Sequence, residues 1–237
     1  MTTDLLIFED SLPALKEALA ARDVRAVCWH ADGSLSVDGA PVSAADVAPD
    51  VGWISFDLLT RQRLNDYVDA VLDFDSVRWV QSVNAGLDHP VYARLAARGV
   101  RLSKSWAQSI PIAEYVLAHA LHHFQGIDER AAAQRESTWR YLPFRELFGT
   151  RWLIVGFGHI GRRIAARAKP FECHITTLRH SARPDPAADA VISEQALHAT
   201  LRESDVVVLA CPETPETTGM VDRAFIAAMK PGALLVN

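Results

Sequence analysis

The stretch Gly156-Phe157-Gly158-His159-Ile160-Gly161 decides the fold of this chain because of the segments on either side of it. Residues 152–155 run apolar into the first glycine, as a buried strand does, and residues 162–169 leave the last glycine with a helical pattern. A glycine-rich turn between a strand and a helix predicts a dinucleotide-binding site rather than an ordinary turn.

Each glycine of this turn has its own predicted role. Gly156 allows a tight turn, Gly158 lets the backbone approach a pyrophosphate, and Gly161 lets the helix pack closely on the strand. The start of the helix presents N–H groups and the positive end of its dipole, so His159 and Ile160 are also expected beside the phosphates.

Length, composition and charge set outer bounds on the function. The chain has 237 residues, of which 49% are hydrophobic and 22% charged, and its formal net charge is −5. This length allows one large domain or two smaller ones. The charge is spread without a basic block, so we expect no nucleic-acid partner.

The cysteines and the apolar segments indicate a cytoplasmic protein. Cys28, Cys173 and Cys211 are far apart and match no zinc-binding spacing, which fits a reducing compartment. The N-terminal residues lack the basic start of a signal peptide. No apolar run approaches the ~20 residues of a membrane span, so no membrane contact is expected.

The first hundred residues alternate strand and helix patterns, which predicts right-handed βαβ units and a parallel sheet. The predicted strands are residues 5–8, 26–29, 51–55, 79–83 and 100–102, and the predicted helices are residues 11–21, 61–72 and 90–98. Ser11 is predicted to cap the first helix. Residues 31–34 are predicted to form a turn.

The second half starts with a long helix. Apolar residues recur at helical spacing after Pro111, and a second strand–helix alternation begins at Trp152. The polar loop 103–109 separates the halves, so we predict an α/β protein with domains at residues 1–108 and 109–237.

Arg179 is predicted to select the cofactor. It follows the second strand of the glycine unit, residues 174–178, where NAD-specific sites carry an acidic residue for the ribose 2′-OH. A guanidinium would instead hold a 2′-phosphate by charge-assisted bonds worth roughly 1.5–3 kcal/mol, or about tenfold or more in affinity. We therefore predict NADPH over NADH, bound by Arg179 and three residues after it: His180, Ser181 and Arg183. The alternative is that Asp185 or Asp189 binds the ribose and Arg179 is solvated.

Five further segments follow one another in a specific order: Asn84-Ala85-Gly86-Leu87-Asp88-His89, Pro111-Ile112-Ala113-Glu114-Tyr115, Glu146-Leu147-Phe148-Gly149, Cys211-Pro212-Glu213-Thr214-Pro215-Glu216-Thr217, and Met229-Lys230-Pro231-Gly232-Ala233-Leu234-Leu235-Val236-Asn237. With the glycine turn, they make the chain similar to the D-isomer-specific 2-hydroxyacid dehydrogenase family. The Arg179 and Trp139 regions most resemble its glyoxylate/hydroxypyruvate reductase branch.

The resemblance implies a fold and an activity. It implies a flavodoxin-like substrate domain, a Rossmann-type doubly wound nucleotide-binding domain that is incomplete at its C-terminal end, and a homodimer with a dimerisation arm at about residues 121–150. The implied reaction is NADPH-dependent reduction of small 2-oxo acids to D-2-hydroxy acids by hydride transfer.

The resemblance also gives roles to matched residues. The backbone N–H groups of Ala85, Gly86 and Leu87 would grip the substrate carboxylate, as consecutive amides in a turn can. Trp139 would either reach the active site of a partner subunit or pack within the arm.

The cofactor site gains three residues from the resemblance. Cys211 and Pro212 would lie against the nicotinamide side of the cofactor, at the end of the strand 206–210, and Thr217 would help to hold their loop. The clustered histidines His119, His122 and His123 lie on an apolar helix, so we predict no metal site.

The family's catalytic arginine, glutamate and histidine are expected beyond Asn237. We therefore expect that the 237 residues alone do not catalyse the reaction. The alternative function is a non-catalytic NAD(P)H-binding scaffold of the corepressor type.

Overall fold

The computed structural model describes residues 2–179 and 183–237. Two predicted cofactor-binding residues, His180 and Ser181, lie outside the described residues. The chain divides into two compact units, Met1–Ala107 and Gln108–Asn237. Within the described ranges, no helix has the length and apolar character needed to cross a membrane.

The first unit is built on a seven-stranded sheet. Its strands are β1 Thr3–Phe8, β2 Val24–Trp29, β3 Leu35–Val37, β4 Ala40–Val42, β5 Val51–Ile54, β6 Trp79–Ser82 and β7 Arg101–Ser103. They lie in the order β4-β3-β2-β1-β5-β6-β7, and the five from β2 to β7 pair in parallel. Counted along the chain, these five follow the 2-1-3-4-5 order of flavodoxin-like sheets, so the predicted fold class is confirmed.

An antiparallel hairpin extends this sheet, which the sequence analysis did not predict. Strand β3 pairs antiparallel with both β2 and β4. Asp38 and Gly39 connect β3 and β4 with φ angles of 50° and 80°, as in a two-residue hairpin turn. Three-residue strands show too little alternation to be recognised by periodicity alone.

Four helices cover the parallel strands: α1 Leu12–Ala20, α2 Phe56–Thr60, α3 Leu64–Leu72 and α4 Pro90–Ala97. Ser11 holds the predicted N-cap position of α1, but its side chain makes no capping bond, because its hydroxyl donates instead to Asp57 Oδ2 at 2.7 Å. The core contains a fully buried Tyr67, whose hydroxyl donates to the carbonyl of Leu6 and accepts from the amide of Trp53.

The second unit has a five-stranded parallel sheet. Its strands are β8 Arg151–Val155, β9 His174–Leu178, β10 Ala190–Ile192, β11 Val206–Leu209 and β12 Leu234–Val236. The order β10-β9-β8-β11-β12 reads 3-2-1-4-5 along the chain, which is the Rossmann arrangement. Its helices are α5 Ser109–Gln125, α6 Ile127–Arg135, α7 His159–Ala168, α8 Leu197–Leu201 and α9 Arg223–Ala228.

Strand β8 lies at the centre of this sheet and is buried on both faces. Trp152 and Ile154 pack in one cluster with residues of α5 and α7, while Leu153 and Val155 pack in another with residues of α8 and α9. A strand covered on both faces reads as a continuous apolar run, which is why the sequence identified it so clearly. The long helix α5 begins at Ser109 and ends at Gln125, and Gly126 follows as a left-handed C-cap with φ 58°.

Candidate cofactor-binding cleft

A cleft of about 910 Å³ lies at the carboxyl edge of the sheet in the second unit. Its lining comes from the ends of β8, β9 and β11 and the loops that follow β10 and β11: Val155, Gly156, Phe157, Gly158, Leu178, Arg179, Ser193, Glu194, Gln195, Ala210, Cys211, Pro212, Thr214, Glu216, Thr217 and Met220. This edge is where open α/β sheets bind ligands, and the volume is that of a small-molecule site.

The glycine turn forms the central wall of the cleft. Gly156 has φ +90°, and a Cβ there would lie 2.5 Å from the backbone nitrogen of Cys211. A Cβ on Gly161 would overlap the carbonyl oxygen of Gly156, so this glycine allows α7 to approach the turn. A Cβ on Gly158 would meet no protein atom within 4 Å. The turn thus needs glycine for packing at its two ends and is open at its middle.

The start of α7 is suited to an anion. Its N-cap is Gly158, which has no side chain to cap the helix, and the first turn, with His159 and Ile160, carries no carboxylate. The helix has 10 residues, so its dipole is developed. An open turn, an uncapped helix start and a cleft of this size fit the pyrophosphate of a dinucleotide.

Arg179 lies at the end of β9 and lines the cleft, where the sequence predicted it. Its Nη1 is 2.9 Å from Oδ2 of Asp185, whose side chain is only 2% exposed. Arg162, on α7, binds the same carboxylate, with Nη1 at 3.0 Å from Oδ1. Sequence reasoning missed Arg162, because a separation of 23 positions from Asp185 gives no periodic signal.

Of the two alternative carboxylates, Asp185 is buried, and Asp189 is exposed but does not lie at the end of β9. Asp185 is enclosed by the two guanidinium groups. Asp189 accepts from the amide of Ile175 at 2.7 Å and pairs with Lys169, near the beginning of β9. Burial acts to raise the pKa of Asp189, but these hydrogen bonds outweigh it and hold the pKa below its usual value. Arg183 is exposed and does not belong to the described residues that line the cleft.

The loop after β11 closes the other side of the cleft. Cys211 and Pro212 line it directly. Thr217 fastens the loop, since its hydroxyl donates to the carbonyl of Pro212 at 2.7 Å and accepts from the amide of Thr214 at 2.8 Å. Burial raises the pKa of the Cys211 thiol, so this cysteine is a neutral wall rather than a nucleophile. Sequence reasoning also missed Ser193 and Gln195, which follow a strand too short to be predicted.

The predicted substrate loop belongs to the first unit. Ala85, Gly86 and Leu87 lie between β6 and α4. The preceding Asn84 is anchored, since its Nδ2 donates to the Tyr92 hydroxyl at 2.9 Å. Across residues 2–179 and 183–237, the amides of these three loop residues donate to no protein acceptor.

Trp139 lies outside the cleft. It is 89% exposed in the irregular segment that follows α6. The base of this segment is fixed, since Arg130 donates to the carbonyl of Leu142 at 2.7 Å and lies over the ring of Phe144. The aromatic side chain therefore projects from an anchored arm.

The histidines of α5 have separate partners. His122 Nε2 is 2.8 Å from Oδ2 of Asp128, a carboxylate that the sequence analysis did not place near these histidines. His123 Nε2 is 3.2 Å from the carbonyl of Gly232. His119 packs on the ring of Tyr115. In the part of the chain that the structure describes, no group of three or more His, Cys, Asp and Glu side chains is arranged to hold a metal ion.

Comparisons with known proteins agree with this geometry. Residues 117–237, just over half of the chain, match the family model described as D-isomer specific 2-hydroxyacid dehydrogenase, NAD binding domain. A D-2-hydroxyacid dehydrogenase family protein from Aeromonas salmonicida has the same fold, with a TM-score of 0.75 and 25% identity, over 98% of this chain and 71% of that one.

Two relatives differ in the substrates that their names give. The D-3-phosphoglycerate dehydrogenase of Mycobacterium leprae is 30% identical over 76% of this chain, and the match covers 35% of its own length. The glyoxylate reductase of Thermococcus gammatolerans is 38% identical over 42% of this chain and 30% of its own. The chain therefore spans about a third of the length of each of these relatives. Because the family model matches more than half of the chain, the chain belongs to the D-isomer specific 2-hydroxyacid dehydrogenase family.

Proposed function

We propose that the complete protein is an NADPH-dependent reductase that converts small 2-oxo acids of the glyoxylate or hydroxypyruvate type into D-2-hydroxy acids. One observation carries the proposal. The glycine turn after β8, Arg179 at the end of β9 and Cys211 after β11 all line a single cleft. This is the arrangement that a dinucleotide requires at a Rossmann edge.

Different residues of the cleft would bind different parts of the dinucleotide. The glycine turn and the first residues of α7 would hold the pyrophosphate through backbone N–H groups. Cys211 and Pro212 would form an apolar wall for the nicotinamide, and Thr217 would keep that wall in place. The bound nicotinamide would supply the hydride.

The preference for NADPH rests on the charges at the end of β9. Asp185 pairs with both Arg162 and Arg179, so the cluster of these three side chains carries a net positive charge. A 2′-phosphate is attracted to such a group, whereas a ribose 2′-OH gains little from it. A preference of about tenfold or more is expected, since each charge-assisted bond is worth roughly 1.5–3 kcal/mol.

The substrate would bind through its carboxylate. The amides of Ala85, Gly86 and Leu87 donate to no acceptor within the described residues, and consecutive amides of this kind form anion sites. The substrate domain would then be residues 1–108 and the nucleotide-binding domain residues 109–237.

The protein would act as a cytoplasmic homodimer. The arm at about residues 121–150 exposes four aromatic side chains, Trp139, Tyr141, Phe144 and Phe148. Exposed apolar patches of this kind mark protein interfaces. The three cysteines are free, which fits a reducing compartment.

The test combines binding with turnover. NADPH and NADH are titrated into the protein by calorimetry. NADPH oxidation by the complete protein is followed with glyoxylate, hydroxypyruvate and a phosphorylated 2-oxo acid. We expect tighter NADPH binding and oxidation with one or both of the unphosphorylated acids. Tight NADPH binding without turnover of any acid would favour the scaffold function, and equal affinity for both cofactors would contradict the role of Arg179.

A further inference from the structure

A buried carboxylate joins two arginines at the edge of the cofactor cleft. Asp185 binds Arg162 with both oxygens, at 3.0 Å from Nη1 to Oδ1 and 2.5 Å from Nη2 to Oδ2. Its Oδ2 also binds Nη1 of Arg179 at 2.9 Å. The three residues come from different segments, since Arg162 lies on α7, Arg179 follows β9 and Asp185 lies in the next loop.

We propose that Arg162 is a second 2′-phosphate-binding residue and that Asp185 positions it beside Arg179. The inference rests on the proposed NADPH preference and adds to it a residue pair that the sequence did not suggest.

The two arginines retain donors for a phosphate. A guanidinium carries five N–H bonds. Asp185 accepts one hydrogen bond from Nη1 of Arg162 and one from Nη1 of Arg179, and Nη2 of Arg162 forms an ion pair with its Oδ2. Among the described residues, at least three donors of Arg162 and four of Arg179 therefore remain. The side chain of Arg162 is 48% exposed, and that of Arg179 lines the cleft. The remaining donors can therefore face an anion on the side away from the carboxylate.

The carboxylate is itself held in place. Asp185 Oδ1 accepts from the amide of Ala187 at 3.1 Å, and the side chain is only 2% exposed. The guanidinium of Arg162 also lies 5.7 Å from the centre of the Phe157 ring, a residue of the glycine turn. These contacts order two long side chains before any ligand arrives, which reduces the entropy lost on binding.

A second role of Asp185 is physically reasonable and predicts the opposite change in phosphate affinity when the carboxylate is removed. A carboxylate beside a phosphate site lowers the local positive potential, so its removal would tighten anion binding. If Asp185 acts mainly by positioning, loss of its carboxylate charge lets the two like-charged guanidinium groups of Arg162 and Arg179 separate, and phosphate binding weakens. The sign of one measured change therefore decides between the two roles.

The experiment uses two small probes, 2′,5′-ADP and 5′-AMP, which differ by the 2′-phosphate. Their affinities are measured by calorimetry for the wild-type protein, Asp185→Asn, Arg162→Gln and Arg163→Gln. Arg163 is exposed on the same helix, and its change removes the same charge at a position that does not contact Asp185.

We expect the wild-type protein to prefer 2′,5′-ADP. Asp185→Asn and Arg162→Gln should each weaken 2′,5′-ADP binding by about tenfold, with 5′-AMP affinity unchanged, and Arg163→Gln should match the wild type. Unchanged or tighter 2′,5′-ADP binding in Asp185→Asn would overturn the positioning role, as would an equal loss for both probes.

The same measurements distinguish failure of this inference from failure of the proposed NADPH preference. If Asp185→Asn does not fold, Arg162→Gln decides, and an unaltered 2′,5′-ADP affinity in that variant refutes the inference. If the wild-type protein binds both probes equally, the NADPH preference itself fails and the inference fails with it. A wild-type preference that both variants retain contradicts the inference alone.

Discussion

A methyl group on Gly156 would lie 2.5 Å from the backbone nitrogen of Cys211, so the turn after β8 and the loop after β11 meet backbone to backbone. Gly156→Ala should therefore destabilise the second unit by roughly 2–4 kcal/mol, from overpacking and from a side chain at φ +90°. Urea unfolding measures this loss.

Gly158→Ala is the matched control for that change. Its added methyl group meets no protein atom within 4 Å, so its stability should stay within about 1 kcal/mol of the wild type. NADPH affinity should nevertheless fall, because the methyl group occupies the open part of the turn. Equal stability of the two variants would contradict the packing argument.

Asp205 should make the second unit sensitive to acid. It is buried and accepts from Arg145 at 2.7 Å, Lys230 at 2.6 Å and the amide of Arg151 at 2.8 Å. Burial acts to raise the pKa of Asp205, but these bonds outweigh it and lower the pKa. Because the folded-state pKa lies below the unfolded value of about 3.9, the stabilisation is present above that value and is lost as the pH falls through the folded-state pKa.

Asp205→Asn measures this contribution. At pH 7 the free energy of unfolding of the variant should be lower by roughly 3 kcal/mol, because Arg145 and Lys230 lose the negative charge with which they were paired. The difference from the wild type should shrink when unfolding is repeated below about pH 4. A difference that does not change between pH 7 and pH 3 would show that the charge of Asp205 is not the cause.

Thr217→Val should loosen the wall of the cleft while keeping the side-chain volume. It removes the bonds to the carbonyl of Pro212 and the amide of Thr214. We expect faster hydrogen exchange at the Thr214 amide and NADPH affinity lower by about fivefold, from the loss of roughly 1 kcal/mol. Thr217→Ser keeps the hydroxyl and should behave as the wild type; if it loses as much affinity as the valine variant, the hydroxyl is not responsible.

Tyr67→Phe tests the first unit separately. The hydroxyl of this fully buried residue bridges β1 and β5, through the carbonyl of Leu6 and the amide of Trp53. Burial also raises the pKa of Tyr67, so the phenol stays neutral. Its removal should cost roughly 1–3 kcal/mol, because two buried backbone groups lose their partner. Unfolding monitored within the first unit should report this loss, and NADPH affinity should not change.

Trp139→Ala should change assembly rather than folding. The side chain is 89% exposed, so its loss should alter the unfolding free energy of a subunit by less than about 0.5 kcal/mol. If the arm forms the dimer interface, the dimer dissociation constant should rise by about tenfold or more, as measured by sedimentation. An exposed alanine change outside the arm, Phe56→Ala, provides the control.

The sequence predicted those features that depend on local pattern. Strand β8 was recognised because a strand buried on both faces leaves a continuous apolar run, and the helix after it because an amphipathic helix leaves a periodic signal. The hairpin of β3 and β4 was missed because its strands have only three residues each. The pairing of Arg162 with Asp185 was missed because it depends on the tertiary approach of α7 to a loop, and charged residues carry no periodicity. Ser11 has the residue type of a cap, but Asp57 competes successfully for its hydroxyl.

The central position of β8 has a consequence for the order of folding. Its partner β9 begins 23 residues after β8 begins, whereas its other partner β11 begins 55 residues after, so the two pairings differ in the length of chain that must be closed. Closing the longer loop costs more entropy, and contacts of high sequence separation form late. Because the cleft is bounded by the ends of all three strands, it acquires its shape only when β11 docks. Refolding intermediates should therefore contain the β8–β9 pair and lack cofactor affinity, and added NADPH should slow unfolding without accelerating the early steps of folding.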